Sequence, residues 1–460
     1  MWHVEVTKVC RHAVGAGGLV LLLAGIAAAQ VVTISFQNGI NGYSGTFDRQ
    51  IGERDADQKD GSTVAQYFLD GYKPDGSSPD AQGLVRFDDL FGTDPNRIPA
   101  GATILSAELI VTTSRVGNAQ TGGPYGVAGL LQAFNSTTSY FVDFTTATDM
   151  GSRGAWWQDG SATRPVGGYG AQAQGAIGSA NVTSVVQSWA DGAPAYGFVI
   201  QAGTSDSSKT QANSVDGWSI CTTGSPTVTE RPLLQVSYTA APVVKNTFRD
   251  GLHGYAGTTM AIVRSGANAL IADTAAASNP ERTEDGLTLS QTFLDGVQFS
   301  DNQGNTSSPD DLALVKFAEV FGAEPNHVPL DVPVAKAWLV LTTGSTNANS
   351  HSVGPYAAYA MLRPWDVTSL HSSFGLVNGL QAYDGDIGPV LASVGGFIRG
   401  AEVWFDVTAY LEAVRTGTPD YGIAVQANGT ADGWQIHTTG SPAADARPRL
   451  VVYSGDLAAK

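Results

Sequence analysis

Apolar residues recur at every second position through several stretches of this chain. Leu105, Ala107, Leu109 and Val111 alternate with Ser106, Glu108 and Ile110, and Ala335, Ala337, Leu339 and Leu341 repeat the pattern further on. Period-two spacing places one set of side chains on the core face of a β-strand. Residues 196–201, 421–426, 233–238 and 450–453 are richer in apolar positions and predict strands more deeply buried. A helix is predicted only over 181–192 and 406–417. Each begins at a residue able to accept first-turn amide protons, Asn181 or Asp406, and ends at a glycine suited to a left-handed exit, Gly192 or Gly417. Many strands with one short helix in each half predict an all-β chain. It reads as two tandem jelly-roll-type β-sandwich domains, each with one short helix.

The halves repeat one another in order. The segment from Phe36 to Thr46, with Gly39, Gly42, Tyr43 and Gly45, matches the segment from Phe248 to Thr258, with Gly251, Gly254, Tyr255 and Gly257. Phe68-Leu69-Asp70-Gly71 matches Phe293-Leu294-Asp295-Gly296, and Ser77-Ser78-Pro79-Asp80 matches Ser307-Ser308-Pro309-Asp310. Gly217-Trp218 and Thr222–Pro226 match Gly433-Trp434 and Thr438–Pro442. So long a period describes whole domains rather than a solenoid of small units. The boundaries read as 1–29, a signal peptide; 30–239, the first copy; 240–245, a linker; and 246–455, the second copy. Pro242 favours an extended linker, which keeps the copies close without fixing their orientation.

The first 29 residues carry Lys8, Arg11 and His12, an apolar core over 19–26 and an Ala27-Ala28-Ala29 exit, the plan of a secretory signal. That places the mature protein outside the cell, secreted or on the cell surface. The apolar run is shorter than the ~20 residues a membrane span needs, so no membrane insertion is expected. A net charge of −17 makes nucleic acid and anionic membranes poor partners. Cys10 falls in the signal region and leaves Cys221 alone, so the mature chain has no internal disulfide.

Each copy resembles the DNRLRE family, a domain grouped with carbohydrate-binding modules. The resemblance rests on the strand Leu84-Val85-Arg86-Phe87-Asp88, the segment from Ile98 to Leu109 containing Pro99-Ala100-Gly101-Ala102-Thr103, the Val182-Thr183 helix start and the closing Arg231-Pro232-Leu233-Leu234. The second copy keeps Val315-Lys316-Phe317, Val407-Thr408, Arg447-Pro448 and Leu450, and departs at Leu330-Asp331-Val332-Pro333. The resemblance implies a secreted β-sandwich, with some members binding acidic polysaccharide. With no catalytic domain attached, the expected role is a non-catalytic binding protein for extracellular carbohydrate or another cell-surface polymer. The alternatives are a structural or adhesive surface protein that binds protein or itself, and a polysaccharide-degrading enzyme using paired carboxylates.

Chemistry shared by both copies cannot use histidine: His253, His327, His351, His371 and His437 all fall in the second copy, and the mature first copy has none. The shared carboxylates Asp70, Asp80 and Asp216, matched by Asp295, Asp310 and Asp432, make calcium the candidate ion. Asp before Gly is equally turn chemistry. Candidate sugar-contacting residues are Tyr43 and Tyr255, which align, and Trp156 and Trp157 in a glycine-rich loop of the first copy alone. The recurring Arg231 and Arg447 can clamp a uronate carboxylate through two hydrogen bonds, or anchor the last strand. Trp218 and Trp434, the aligned tryptophan pair, read as core.

Overall fold

The computed structural model of the chain describes residues 31–52, 58–71, 81–135, 155, 157, 160–202, 217–240, 243–264, 281–294, 298–300, 306–309, 311–345, 350–374, 380, 385–430 and 432–455. Its first half contains β1 (Val31–Gln37), β2 (Thr46–Gly52), β3 (Lys59–Asp60), β4 (Gln66–Leu69), β5 (Ala81–Phe87), β6 (Thr103–Thr112), β7 (Tyr125–Gly129), β8 (Gly167–Tyr169), β9 (Ile177–Asn181), helix α1 (Thr183–Ala190), β10 (Phe198–Ala202), β11 (Trp218–Cys221) and β12 (Leu233–Thr239). The second half runs through β13 (Val244–Phe248), β14 (Thr258–Arg264), β15 (Arg282–Asp285), β16 (Gln291–Leu294), β17 (Gln298–Ser300), β18 (Thr306–Pro309), β19 (Asp311–Phe317), β20 (Val334–Thr342), β21 (Tyr356–Met361), β22 (Ile387–Val394), β23 (Glu402–Asp406), helix α2 (Thr408–Arg415), β24 (Ile423–Ala427), β25 (Trp434–His437) and β26 (Arg449–Ser454).

The architecture is all-β and sandwich-like, with every pair of named strands antiparallel. In the first half a four-stranded sheet ordered β1-β12-β6-β9 accompanies a six-stranded sheet ordered β3-β2-β5-β10-β7-β8, with β4 and β11 as a separate pair. The second half repeats these orders as β13-β26-β20-β23, β15-β14-β19-β24-β21-β22 and β16-β25, and adds the hairpin β17-β18.

Between the sheets of the first half, Ala107, Leu109, Val111, Leu234 and Val236 meet Val85, Phe87, Tyr125, Val127, Phe198 and Ile200. A second apolar layer, with Ile51, Leu84, Leu130, Phe134 and Val199, covers the other side of the six-stranded sheet. Strands β5 and β10 are therefore buried on both faces, which explains their unbroken apolar runs. Trp218 and Trp434 are fully buried in the two cores, and their indole N–H groups donate to Thr113 Oγ1 at 2.9 Å and Thr343 Oγ1 at 3.0 Å.

The alternation in β6 breaks at Leu105. The register with β12 shifts between Ser237 and Tyr238, and Ile104 takes the core place while Leu105 turns to the opposite face. The β20–β26 register shifts between Val334 and Lys336, with Val334 in the core and Ala335 turned away. A β-bulge changes the face of every residue beyond it. The helices begin two residues later than the sequence predicts, with Val182 and Val407 at the cap position, and Asn181 and Asp406 end the preceding strands. Asn181 Oδ1 nevertheless accepts from Thr183 N at 3.0 Å, and Asp406 Oδ1 from Thr408 N at 3.0 Å. The following threonines tie each helix to its sheet. Thr183 Oγ1 accepts from Ala107 N at 2.9 Å and Thr408 Oγ1 from Ala337 N at 3.0 Å.

The halves are docked, and backbone and side-chain contacts fix the orientation that the linker alone leaves open. Pro165 O accepts from Glu402 N at 2.8 Å, and Arg164 reaches Gly400 O at 3.3 Å and Asp445 Oδ2 at 3.2 Å. Leu105, turned outward by its bulge, joins Trp338, Val340, Trp404, Val451 and Tyr453 of the second half in one apolar cluster.

Candidate functional site

Each half builds the same groove beside the first loop of its repeat. Gly39 N donates to Tyr43 O at 2.9 Å and Tyr43 N to Ile40 O at 2.9 Å; Gly251 N donates to Tyr255 O and Tyr255 N to Leu252 O, both also at 2.9 Å. Closing so tight a loop needs left-handed backbone, and Asn41 and His253 both adopt φ of 51°. Glycine follows each of them at φ 77° and 80°, where a side chain would be strained. The loop is held from below by one polar residue: Asn38 Oδ1 accepts from Thr46 N at 2.8 Å, and Asp250 Oδ1 from Thr258 N at 3.0 Å.

The aligned tyrosines stand in equivalent positions. Tyr43 donates its hydroxyl to Asp88 O at 2.8 Å and lies edge-on to Phe36, centroids 5.3 Å apart. Tyr255 donates to Ala318 O at 3.0 Å and lies edge-on to Phe248 at 5.5 Å. Burial first, then nearby carboxylates, pushes both phenols above their ordinary pKa, so each stays a neutral donor. The far wall is a short turn: Arg97 N donates to Asp94 O and His327 N to Glu324 O, each at 3.0 Å. The grooves enclose about 910 Å³ and 690 Å³, within the ~300–1,000 Å³ usual for ligand clefts.

Their linings differ in charge. Asp88, Asp89 and Asp94 face Arg97 in the first groove, whereas Lys245, His253 and His327 accompany Glu319 in the second. Asp88 becomes Ala318, so no carboxylate at that position serves both copies.

Arg231 and Arg447 lie behind these loops. Arg231 donates from Nε to Ser225 O at 2.9 Å and from Nη1 to Asn38 O at 3.1 Å. Arg447 donates to Ser441 O at 2.8 Å and to Asp250 O at 3.3 Å. Their guanidinium groups face backbone carbonyls, so they position the tyrosine loops rather than offer a fork to a carboxylate. Trp157 is likewise no free platform. It packs against Ile398 and Ala401 of the other half, and Arg164 lies 4.7 Å over its ring.

Asp70 Oδ1 accepts from Gly71 N at 2.9 Å, the local bond of an Asp-Gly turn, and its backbone pairs with Ala81. Asp432 Oδ2 accepts from Val353 N at 2.8 Å and Ser352 Oγ at 3.1 Å. Trp156, Asp80, Asp216, Asp295 and Asp310 lie outside the described residues. Among the described residues no group of three or more His, Cys, Asp or Glu side chains is placed to hold a metal ion. Cys221 is buried beside Glu230, and burial followed by that carboxylate pushes its thiol up to about 11, so it is no thiolate nucleophile.

The residues missed by sequence reading are Phe36 and Phe248, Asn38 and Asp250, and Asp89 and Glu319. The first two pairs lie inside the matched segment around Tyr43 and Tyr255; conservation of the whole loop, not of its aromatic residue alone, was the signal. No protein-family model matches the chain, and no curated protein matches it.

Proposed function

We propose that this is an exported, non-catalytic binding protein that holds an extracellular polysaccharide through two like grooves, one in each copy. The observation that carries the reading is the repeated groove itself. Loop, tyrosine, supporting aromatic ring and guanidinium staple recur, and Asp89 is matched by Glu319, while Asp88, Lys245 and His253 have no charged counterpart in the other copy. The shared tyrosine hydroxyls are each spent on a backbone carbonyl and stay protonated, which favours binding over catalysis. Sugar rings present an apolar face to an aromatic side chain and hydroxyls to its polar rim. The acidic lining of the first groove favours a neutral glycan over a polyanionic one. The resemblance of each copy to DNRLRE domains supports a carbohydrate ligand, and the acidic lining of the first groove turns that reading from acidic to neutral polysaccharide. Two sites on one docked chain bind a polymer bivalently, so avidity exceeds the affinity of either groove.

Affinity electrophoresis through gels containing neutral and acidic polysaccharides tests this. Retardation is expected in a neutral-glycan gel. Tyr43→Ala or Tyr255→Ala alone weakens it by about 100-fold or more through lost bivalence, and the double variant runs as in a plain gel. Unretarded migration of the wild-type chain across the panel contradicts the proposal.

A further inference from the structure

The cleft between the two halves has a lining that follows the repeat. Register places Ser106, Glu108, Ser179 and Asn181 of the first half at the positions of Lys336, Trp338, Trp404 and Asp406 in the second. Gly167 and Gly168 correspond to Ala392 and Ser393. All of these residues line one cleft of about 410 Å³. Equivalent positions of the two copies thus share one cleft.

The chemistry of the two walls is complementary. The first half contributes small hydroxyls and one carboxylate, with Ser179 Oγ donating to Glu108 Oε2 at 2.5 Å. The second contributes aromatic rings and paired charges. Lys336 Nζ lies 2.5 Å from Asp406 Oδ2 and 4.5 Å over the Trp338 ring. Arg449 lies 2.6 Å from Glu402 Oε2 and 5.4 Å over Trp404. Trp338 and Trp404 are only 4% and 6% exposed, and their indole nitrogens have no acceptor among the described residues. A buried donor without an acceptor is costly.

We propose that this cleft is a second binding site, separate from the tyrosine grooves, which takes one neutral sugar unit of a mono- or disaccharide. A sugar matches the polar groups of both walls: its hydroxyls donate to carboxylate oxygens and accept from the ammonium group and the serine hydroxyls. The second half's cations are already matched by Asp406 and Glu402, so the cleft offers no free countercharge to an anionic ligand. Burial, outweighing the Ser179 hydroxyl and Lys336, also raises the pKa of Glu108, which suits hydrogen bonding to an uncharged partner.

Calorimetric titration of the mature full chain with glucose, galactose, mannose, xylose, cellobiose and glucuronate tests the site. At least one neutral sugar is expected to bind and glucuronate is not. Ser179→Trp, which fills the cleft from an exposed strand position, weakens that binding at least ~10-fold, and Glu108→Gln weakens it without filling space. The Tyr43→Ala, Tyr255→Ala double variant binds it as the wild type does. Melting curves matching the wild type show that each variant is folded. Binding unchanged in Ser179→Trp, binding lost in the tyrosine variant instead, or no neutral sugar bound at all overturns the cleft site. Because the polymer assay reports on the tyrosine grooves, either proposal can fail while the other stands.

Discussion

Asp48→Asn is expected to make this protein more stable than the wild type at pH 8 and nearly equal to it at pH 4. Asp48 lies on β2 with its side chain wholly buried between the sheets. Its carboxylate accepts from Thr223 N at 3.2 Å and 3.3 Å and from the Thr223 hydroxyl. Burial dominates these bonds and pushes the group up from 3.8 to about 7. The folded protein therefore keeps a proton that the unfolded chain releases. Stability from this group is full below about pH 4, declines as pH rises towards 7 and is flat above. Over about three pH units at ~1.4 kcal/mol each, the cost reaches at most about 4 kcal/mol. Asparagine keeps an acceptor for Thr223 and removes the titration.

The second copy shows the position without its charge. Met260 takes the place of Asp48, opposite Val315 as Asp48 is opposite Val85. Thr439, the counterpart of Thr223, then has a buried hydroxyl with no partner among the described residues. Exposed acids held at lowered pKa, such as Asp366, slope the other way with pH, so the informative quantity is variant minus wild type. Thermal melts from pH 4 to 8 measure it. A constant difference across that range rules out Asp48 as the titrating group.

Arg231→Met is expected to lower stability by about 3 kcal/mol, since two carbonyls lose a charged donor at roughly 1.5–3 kcal/mol each. The damage should be local. Hydrogen exchange quickens at Gly39, Tyr43 and Thr46, whose amides close the first tyrosine loop, and is unchanged at Gly251, Tyr255 and Thr258. Polymer binding falls as in Tyr43→Ala. Arg447→Met mirrors this in the second copy. A guanidinium that clamps the ligand directly predicts something else: weaker binding with the loop's exchange unaltered.

Much of this fold is legible in the sequence because burial writes itself as periodicity. Ala107, Leu109 and Val111 face the core as their spacing requires, and both helices open within two residues of Asn181 and Asp406, at Thr183 and Thr408. Leu105 and Ala335 depart from the pattern because each is the extra residue of a bulge, which the pairing with the partner strand creates and their own segment does not show. Arg231 and Arg447 were conspicuous as repeats, but their acceptors at Asn38 and Asp250 lie more than 190 residues earlier. Asp48 carried no signal, since a polar residue in a strand reads as solvent-facing. The docking of the halves did leave a trace. Val403-Trp404-Phe405 is apolar on both faces, where the matching Ser179-Ala180 alternates, and the extra apolar residue, Trp404, belongs to the cluster that Leu105 enters. Ligand identity left no comparable mark, because two loops of the same shape carry different charges.

Counting the ligand sites on one chain reaches the root of these proposals. Calorimetry with an oligosaccharide cut from the retarding polymer, in the Ser179→Trp background that silences the cleft, should give two sites per chain, one after either tyrosine is replaced, and none after both. A single site indifferent to Tyr43 and Tyr255 would mean that the duplicated grooves are only architecture.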